Sequence, residues 1–244
     1  MKRILELLSE DKRLVYILEI LVAIVLVFVL PFKSSTITLL STVVIYSIAA
    51  IGFNLLLGYS GQISLGHAAF IGLGAYTTAF ITSNLELPFL LGLIMAGVVP
   101  MIAGIVLGIV AIRLDGHYLA IATLGFGIAL QQVFKVMIYF TDGFAGKTAP
   151  SAKIFGISIK AGKPYFVFII LIMLIMMIIA HNIIRSRSGR ALVAMRDSEY
   201  VALAMGIDVV SQKLKIFALS AFYAGISGSL YMHLVKYTQP DVWG

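Results

Sequence analysis

Cysteine is absent from the 244 residues, so no disulfide, zinc–thiolate site or thiol nucleophile can be built from this chain. Charge is nearly as scarce. Only 12% of residues are Asp, Glu, Lys or Arg, against 61% that are hydrophobic, whereas soluble domains carry about a quarter charged residues. Too little polar surface remains to cover a water-facing globule. Catalytic patterns are missing as well: there is no HExxH and no Ser-His-Asp order. Gly146-Lys147-Thr148 ends like a phosphate-binding loop, GxxxxGK[ST], but Thr141 stands where the first glycine is required. His67 has no second ligand at i+3 or i+4, so it marks no metal site. The apolar runs hold neither a relay of carboxylates nor a ladder of arginines, which weighs against a proton-driven pump or a voltage sensor. The charges they do hold, Glu19, Lys135 and Lys215, lie near run ends, where long side chains snorkel to water.

What is present is length of apolar chain. A helix needs about 20 mostly apolar residues to cross the hydrocarbon, and seven runs qualify: 14–31, 37–57, 63–82, 89–112, 117–139, 164–184 and 214–235. The first resembles a signal peptide, but it is long and no small-residue cleavage site follows it, so it reads as a retained span. The fold class is therefore an all-α integral membrane protein: a polytopic bundle of about seven spans forming a single domain over 1–244, its third span irregular and partly re-entrant. The net charge of +7 reports orientation and contact with anionic lipid rather than nucleic acid. Four Lys and Arg precede the first run and six lie in 185–215. Six spans separate those segments, so both fall on one side, and the positive-inside rule makes it the cytoplasm. The 140–163 loop then lies outside, although it carries four lysines of its own (Lys147, Lys153, Lys160 and Lys163).

Two stretches hold more than hydrophobicity. The first is GYSGQISLGHAAFIGLGAY, 58–76. Ser64, Ala68 and Gly72 recur every four residues, as do Ala96, Pro100, Gly104 and Gly108, and Ala221, Gly225 and Ser229. Such stripes let helices approach closely in lipid. Gly58, Ser60 and Gly61 instead favour a break in the helix, and broken backbone at membrane depth must be buried in protein or line a cavity. Asn54, Gln62, Ser64 and His67 either satisfy that break or face a translocation path.

The second stretch is 185–212. Ser188 is placed to cap a short helix from Arg190. Asp197 is placed to cap another, with Glu199 in its first turn, and Gly206 followed by Ile207 is placed to end it. Two short helices at the membrane face serve equally well as lipid-facing interfacial elements or as a docking element for a cytoplasmic partner.

GFNLLLGYSGQISLGHAAFIGLGAYTTAF (52–80), RLDGHYLAIATLGFG (113–127) and SRSGRALVAMRDSEYVALAMGIDVVSQKLKIFALSAFYAGISGSLYM (186–232) together resemble permease subunits of branched-chain amino acid ABC importers, the LivM-like family. The resemblance implies a multi-pass protein of the prokaryotic cell membrane with its N-terminus in the cytoplasm. Its partners would be a second homologous permease, two cytoplasmic ATPases that bind the ATP, and an external solute-binding protein. The chain itself would need no cofactor and would not be an enzyme. Arg190, Arg196, Asp197, Glu199 and Gly206 would belong to an ATPase-coupling loop within 185–212. That loop departs from the general EAA loop of other importers, because Gly206 follows Glu199 by seven residues rather than six and Tyr200-Val201 replace the two alanines. The implied solutes are branched-chain amino acids. Urea or short amides, carried by close relatives, are the alternative within the family, and an ATP-independent secondary transporter is the alternative outside it. The family continues with further membrane segments beyond QPDVWG, so the resemblance implies a truncated C-terminus.

Overall fold

The computed structural model describes residues 33–111, 114, 116–154, 157–159 and 161–243. The first candidate span, 14–31, lies outside them, as do Lys2, Arg3, Lys12, Arg13, Glu19 and Lys160. The described residues form an all-α membrane bundle. Its helices are α1 (Ser34–Asn54), α2 (His67–Ser83), α3 (Phe89–Ala111), α4 (His117–Val136), the single turn α5 (Ile138–Thr141), α6 (Lys163–Arg185), α7 (Arg187–Asp197), α8 (Glu199–Ala204) and α9 (Val209–Val235). Among the described residues, five helices are long and apolar enough to cross a membrane: α1 with its π-helical extension, α3, α4, α6 and α9. Helices prevail because lipid offers no partner for an open peptide group, so each backbone bond must close within its own segment.

The core is built on α9, whose small and aromatic residues are buried along almost its whole length. Ala96, Pro100, Gly104 and Gly108 of α3 meet Ala221, Gly225 and their neighbours on α9. A Cβ on Gly225 would strike the Ala96 carbonyl, and one on Gly104 would sit 2.7 Å from Ala221 Cβ. Beside α3 on α9, Gly74 of α2 touches Gly225, and Gly228 touches Ile71 and Ala75. Two tyrosines tie α6 to α9: Tyr165 donates to the Leu230 carbonyl at 2.8 Å and Tyr223 to that of Met176 at 2.7 Å. On α1, Gly52 lies against Tyr223 and the Tyr46 ring is 6.0 Å from that of Tyr231, so α1, like α3 and α6, runs antiparallel to α9.

Three expectations change. The Ser64–Ala68–Gly72 stripe does not exist as a helix face: α2 starts at His67, so Ser64 is buried in the irregular chain before it, Ala68 is exposed, and Gly72 packs against Trp243. The span drawn from 63 is therefore helical only from 67, and 61–66 approach it as irregular chain. The span drawn over 117–139 ends at Val136, because Met137 leaves helical geometry before α5 begins.

The two ends of the bundle differ. At one end, 140–163 carries a hairpin of β2 (Ala152–Ile154) and β3 (Ile157–Ile159), and β1 (Lys147–Thr148) pairs antiparallel with β4 (Tyr237–Thr238). Lys147, the residue of the phosphate-loop lookalike, is buried there, 3.3 Å from Asp142 and over the Phe80 ring. The chain then folds back as a short 3-10 turn, Pro240–Trp243, held by Lys135–Asp241 at 2.7 Å. At the other end lie α7, α8 and the joint between α1 and α2.

Candidate functional site

The joint forms where α1 loses its α-helical register. Leu55–Tyr59 wind as a π-helix, a form found mostly as short bulges and often at functional sites. Ser60 then turns back on the Leu56 carbonyl at 2.6 Å. Gly61 takes φ +72°, a left-handed conformation that glycine adopts without steric cost. The segment up to Gly66 is not helical and is buried at Gln62, Ser64 and Gly66. Its exit is fixed by α4: the Leu65 amide donates to Thr123 Oγ1 at 2.9 Å, and Gly66 lies against the backbone of Thr123 and Gly127 with no room for a Cβ. The chain is thus broken next to the bundle and clasped by protein, as the expense of open backbone in lipid requires.

The candidate path residues do not share one surface. Asn54 is exposed, and its side chain covers Gly58. The His67 ring packs between Phe53 and Phe70, with centroids 5.2 and 6.2 Å away. Gln62 and Ser64 are buried, and neither the Gln62 amide nor the Ser64 hydroxyl has a hydrogen-bond partner in the protein.

Directly over this joint sits the second candidate stretch. Ser186, not Ser188, caps α7, accepting from the Gly189 amide at 3.3 Å. The helix therefore opens at Arg187 rather than Arg190. Ser198, not Asp197, caps α8, accepting from the Val201 amide at 3.4 Å. Asp197 ends α7 and pairs with Arg196 at 3.1 Å instead. Both caps fall at the residue whose backbone is extended while the next is helical, which the serine hydroxyl needs in order to reach forward. Gly206 closes α8 with φ +78°. Its amide donates to Leu203 and that of Ile207 to Ala202, both at 3.0 Å, a complete Schellman ending. Arg190 is exposed and reaches back to the Arg185 carbonyl at 3.2 Å.

Two contacts lock this elbow to the bundle. Arg196 Nη1 donates to the Gly58 carbonyl at 2.9 Å, and its aliphatic stem lies over Gly61. Lys213, near the start of α9 and only 7% exposed, reaches Glu199 at 2.8 Å. Between the two lies a cleft of about 340 Å³ lined by Gly61, Gln62, Leu119, Met195 and both ion pairs. The outer face of α8 is apolar and uncovered: Tyr200 is 87% exposed, Met205 78%, with Val201 and Leu203 beside them. Thr123 and Lys213 are structural partners that inspection of the sequence did not single out, because each acts on a residue far along the chain or across a turn.

Residues 35–243 match the family described as "Branched-chain amino acid transport system / permease component". The chain is 28% identical over 237 residues to the "High-affinity branched-chain amino acid transport system permease protein LivM" of Salmonella typhimurium (strain LT2), and equally to that of Escherichia coli (strain K12). Each match covers 86% of this chain and 56% of the relative. It is 23% identical over 220 residues to the "Probable branched-chain amino acid transport permease protein LivM" of Methanocaldococcus jannaschii, covering 77% of this chain and 64% of that protein. The chain thus spans little more than half the length of the first two relatives. No solved structure matches it.

Proposed function

The chain belongs to the branched-chain amino acid transport system permease component family, and from that premise we propose that it is one membrane subunit of an ATP-driven importer for branched-chain amino acids. It forms the translocation path with a second, homologous permease and is worked by two ATPase subunits on the cytoplasmic side. An external solute-binding protein delivers the solute to the opposite end, where the 140–163 segment lies. The membrane is the prokaryotic cell membrane, with the N-terminus and residues 185–212 in the cytoplasm.

The observation that carries this reading is the build of the elbow. Its underside is fixed to the broken joint by Arg196 and to the core helix by Lys213–Glu199. Its upper side presents Tyr200, Val201, Leu203 and Met205 with nothing over them. An apolar patch on a short capped helix, bordered by Arg196 and Asp197, has the composition of a docking surface. A partner that pushes on α8 moves residues already bonded to the joint between α1 and α2. The chain contains no nucleotide-binding motif of its own, so the reading assigns ATP to the partner.

The test is reconstitution of the four kinds of subunit in liposomes, with leucine uptake and ATP hydrolysis measured together. Replacing the exposed pair, Tyr200→Ser with Met205→Ser, is expected to abolish co-purification of the ATPase and uptake while leaving membrane insertion intact. Glu199→Gln or Gly206→Ala is expected to leave hydrolysis running and uncouple it from uptake. Normal uptake in the Tyr200/Met205 variant, or leucine movement by this chain alone, contradicts the reading.

A further inference from the structure

The joint holds polar groups that find no partner within the protein. The Gln62 amide borders the cleft beside Arg196 and Lys213, and the Ser64 hydroxyl lies two residues on in the same segment; both are out of reach of solvent. Burying such groups without hydrogen bonds is costly, and a native structure keeps them where strain serves a purpose. The elbow contacts that border Gln62 across the cleft are long-range ones that solvent can replace. The Arg196 side chain is 44% exposed, and it holds a backbone carbonyl 138 residues away. Glu199 is also partly exposed where it meets Lys213. The cleft between these two fastenings leaves space for the elbow to swing.

We propose that Arg196 and Lys213 form a two-point latch that holds the joint shut over Gln62 and Ser64, and that the latch opens during the transport cycle. In the shut state the Arg196–Gly58 and Lys213–Glu199 bonds oppose the desolvation of the buried amide and hydroxyl. In the open state those groups reach water or solute, and the arginine and lysine are solvated. A partner that binds the elbow better in the open state selects that state. Thr123 passes the movement on: it holds the Leu65 amide, so displacement of 58–65 bears on α4 as well as on α2. The transport arm of this proposal rests on the permease reading above, and the accessibility arm does not.

The natural absence of cysteine makes the test direct. Gln62→Cys and Ser64→Cys are introduced singly and labelled with a water-soluble maleimide in membrane fragments open on both faces. Tyr200→Cys serves as the exposed reference. In the otherwise unaltered chain the 62 and 64 thiols are expected to react slowly. Adding Arg196→Gln or Lys213→Met is expected to speed their labelling by about tenfold or more, the scale set by loss of one charge-assisted hydrogen bond, with Tyr200→Cys unchanged. Fast labelling before the latch is weakened, or no change after it, overturns the proposal.

A second arm does not depend on how those variants fold. A Cβ at position 61 would lie 3.6 Å from the Arg196 Cβ, within the span of a disulfide. In the reconstituted importer, Gly61→Cys with Arg196→Cys, which lacks the arginine contact while reduced, is expected to cross-link on oxidation, to lose on cross-linking the uptake it has when reduced, and to regain that uptake with reductant. Uptake that continues with the cross-link complete, or failure of the pair to cross-link, overturns the latch. If the importer with Gly61 and Arg196 unaltered takes up no solute, it is the permease reading that fails, and labelling alone then decides the latch.

Discussion

Glycine does two separate jobs in this chain, and substitution tells them apart. Gly225 sits where α2, α3 and α9 cross, and a Cβ there would strike the Ala96 carbonyl and press on Pro100. Backbone is less able than a side-chain tip to yield, so Gly225→Ala is expected to cost about 1–3 kcal/mol, the range for overpacking, read as a lower melting temperature in detergent. Gly125 lies on α4 with nothing within 4 Å of an added Cβ. Gly125→Ala is expected to be neutral or to stabilise by up to about 1 kcal/mol, because alanine loses less backbone entropy in a helix. Equal effects of the two substitutions contradict the packing described for α9. Thr123 makes a third case. Thr123→Val keeps its shape but removes the acceptor for the part-buried Leu65 amide, a loss of about 1 kcal/mol. Its expected signature is faster hydrogen exchange at Leu65.

The elbow is the element whose sequence cues were nearly right and whose consequences were hidden. Two short helices, the stop at Gly206 and the hydrophobic Ile207 after it were all legible, because capping chemistry is local. The caps themselves fall at Ser186 and Ser198, each beside a residue that also fits the rule; nothing in the spacing distinguishes Asp197 from Ser198 until the backbone shows which is extended. Gly206→Ala forces a left-handed φ on alanine and is expected to destabilise α8 by about 1 kcal/mol. Hydrogen exchange across 199–205 then rises by roughly fivefold. An unchanged rate there denies that the Schellman ending holds the helix.

The stripes on α3 and α9 were also legible, since four-residue spacing inside an established helix has one geometric meaning. The stripe drawn through Ser64 was not, because the period was counted across the break that Gly58, Ser60 and Gly61 create. The contact that matters most, Arg196 on Gly58, joins positions 138 residues apart, and no local pattern encodes it.

At the scale of the whole molecule, alternating helix directions bring two distant segments to the same end. In the sequence, the break near 58–67 and the loop at 185–212 stand as two separate local features. Parity alone sends α1 down and α6 down to one end, and the structure adds the cleft, Arg196 and Lys213 that make them one assembly. The opposite end is closed by β1–β4 pairing and by Trp243 packed on Gly72. This division into a worked end and a receiving end is the core of the functional account, and it requires the elbow to face the cytoplasm.

Side-specific labelling in intact cells tests that requirement. Tyr200→Cys on α8 and Lys153→Cys on the β2–β3 hairpin are both exposed and lie at opposite ends of the bundle. With a membrane-impermeant maleimide, Lys153→Cys is expected to label in intact cells and Tyr200→Cys only after permeabilisation. Labelling of Tyr200→Cys from outside intact cells would put the elbow beyond the reach of any cytoplasmic ATPase and contradict the account.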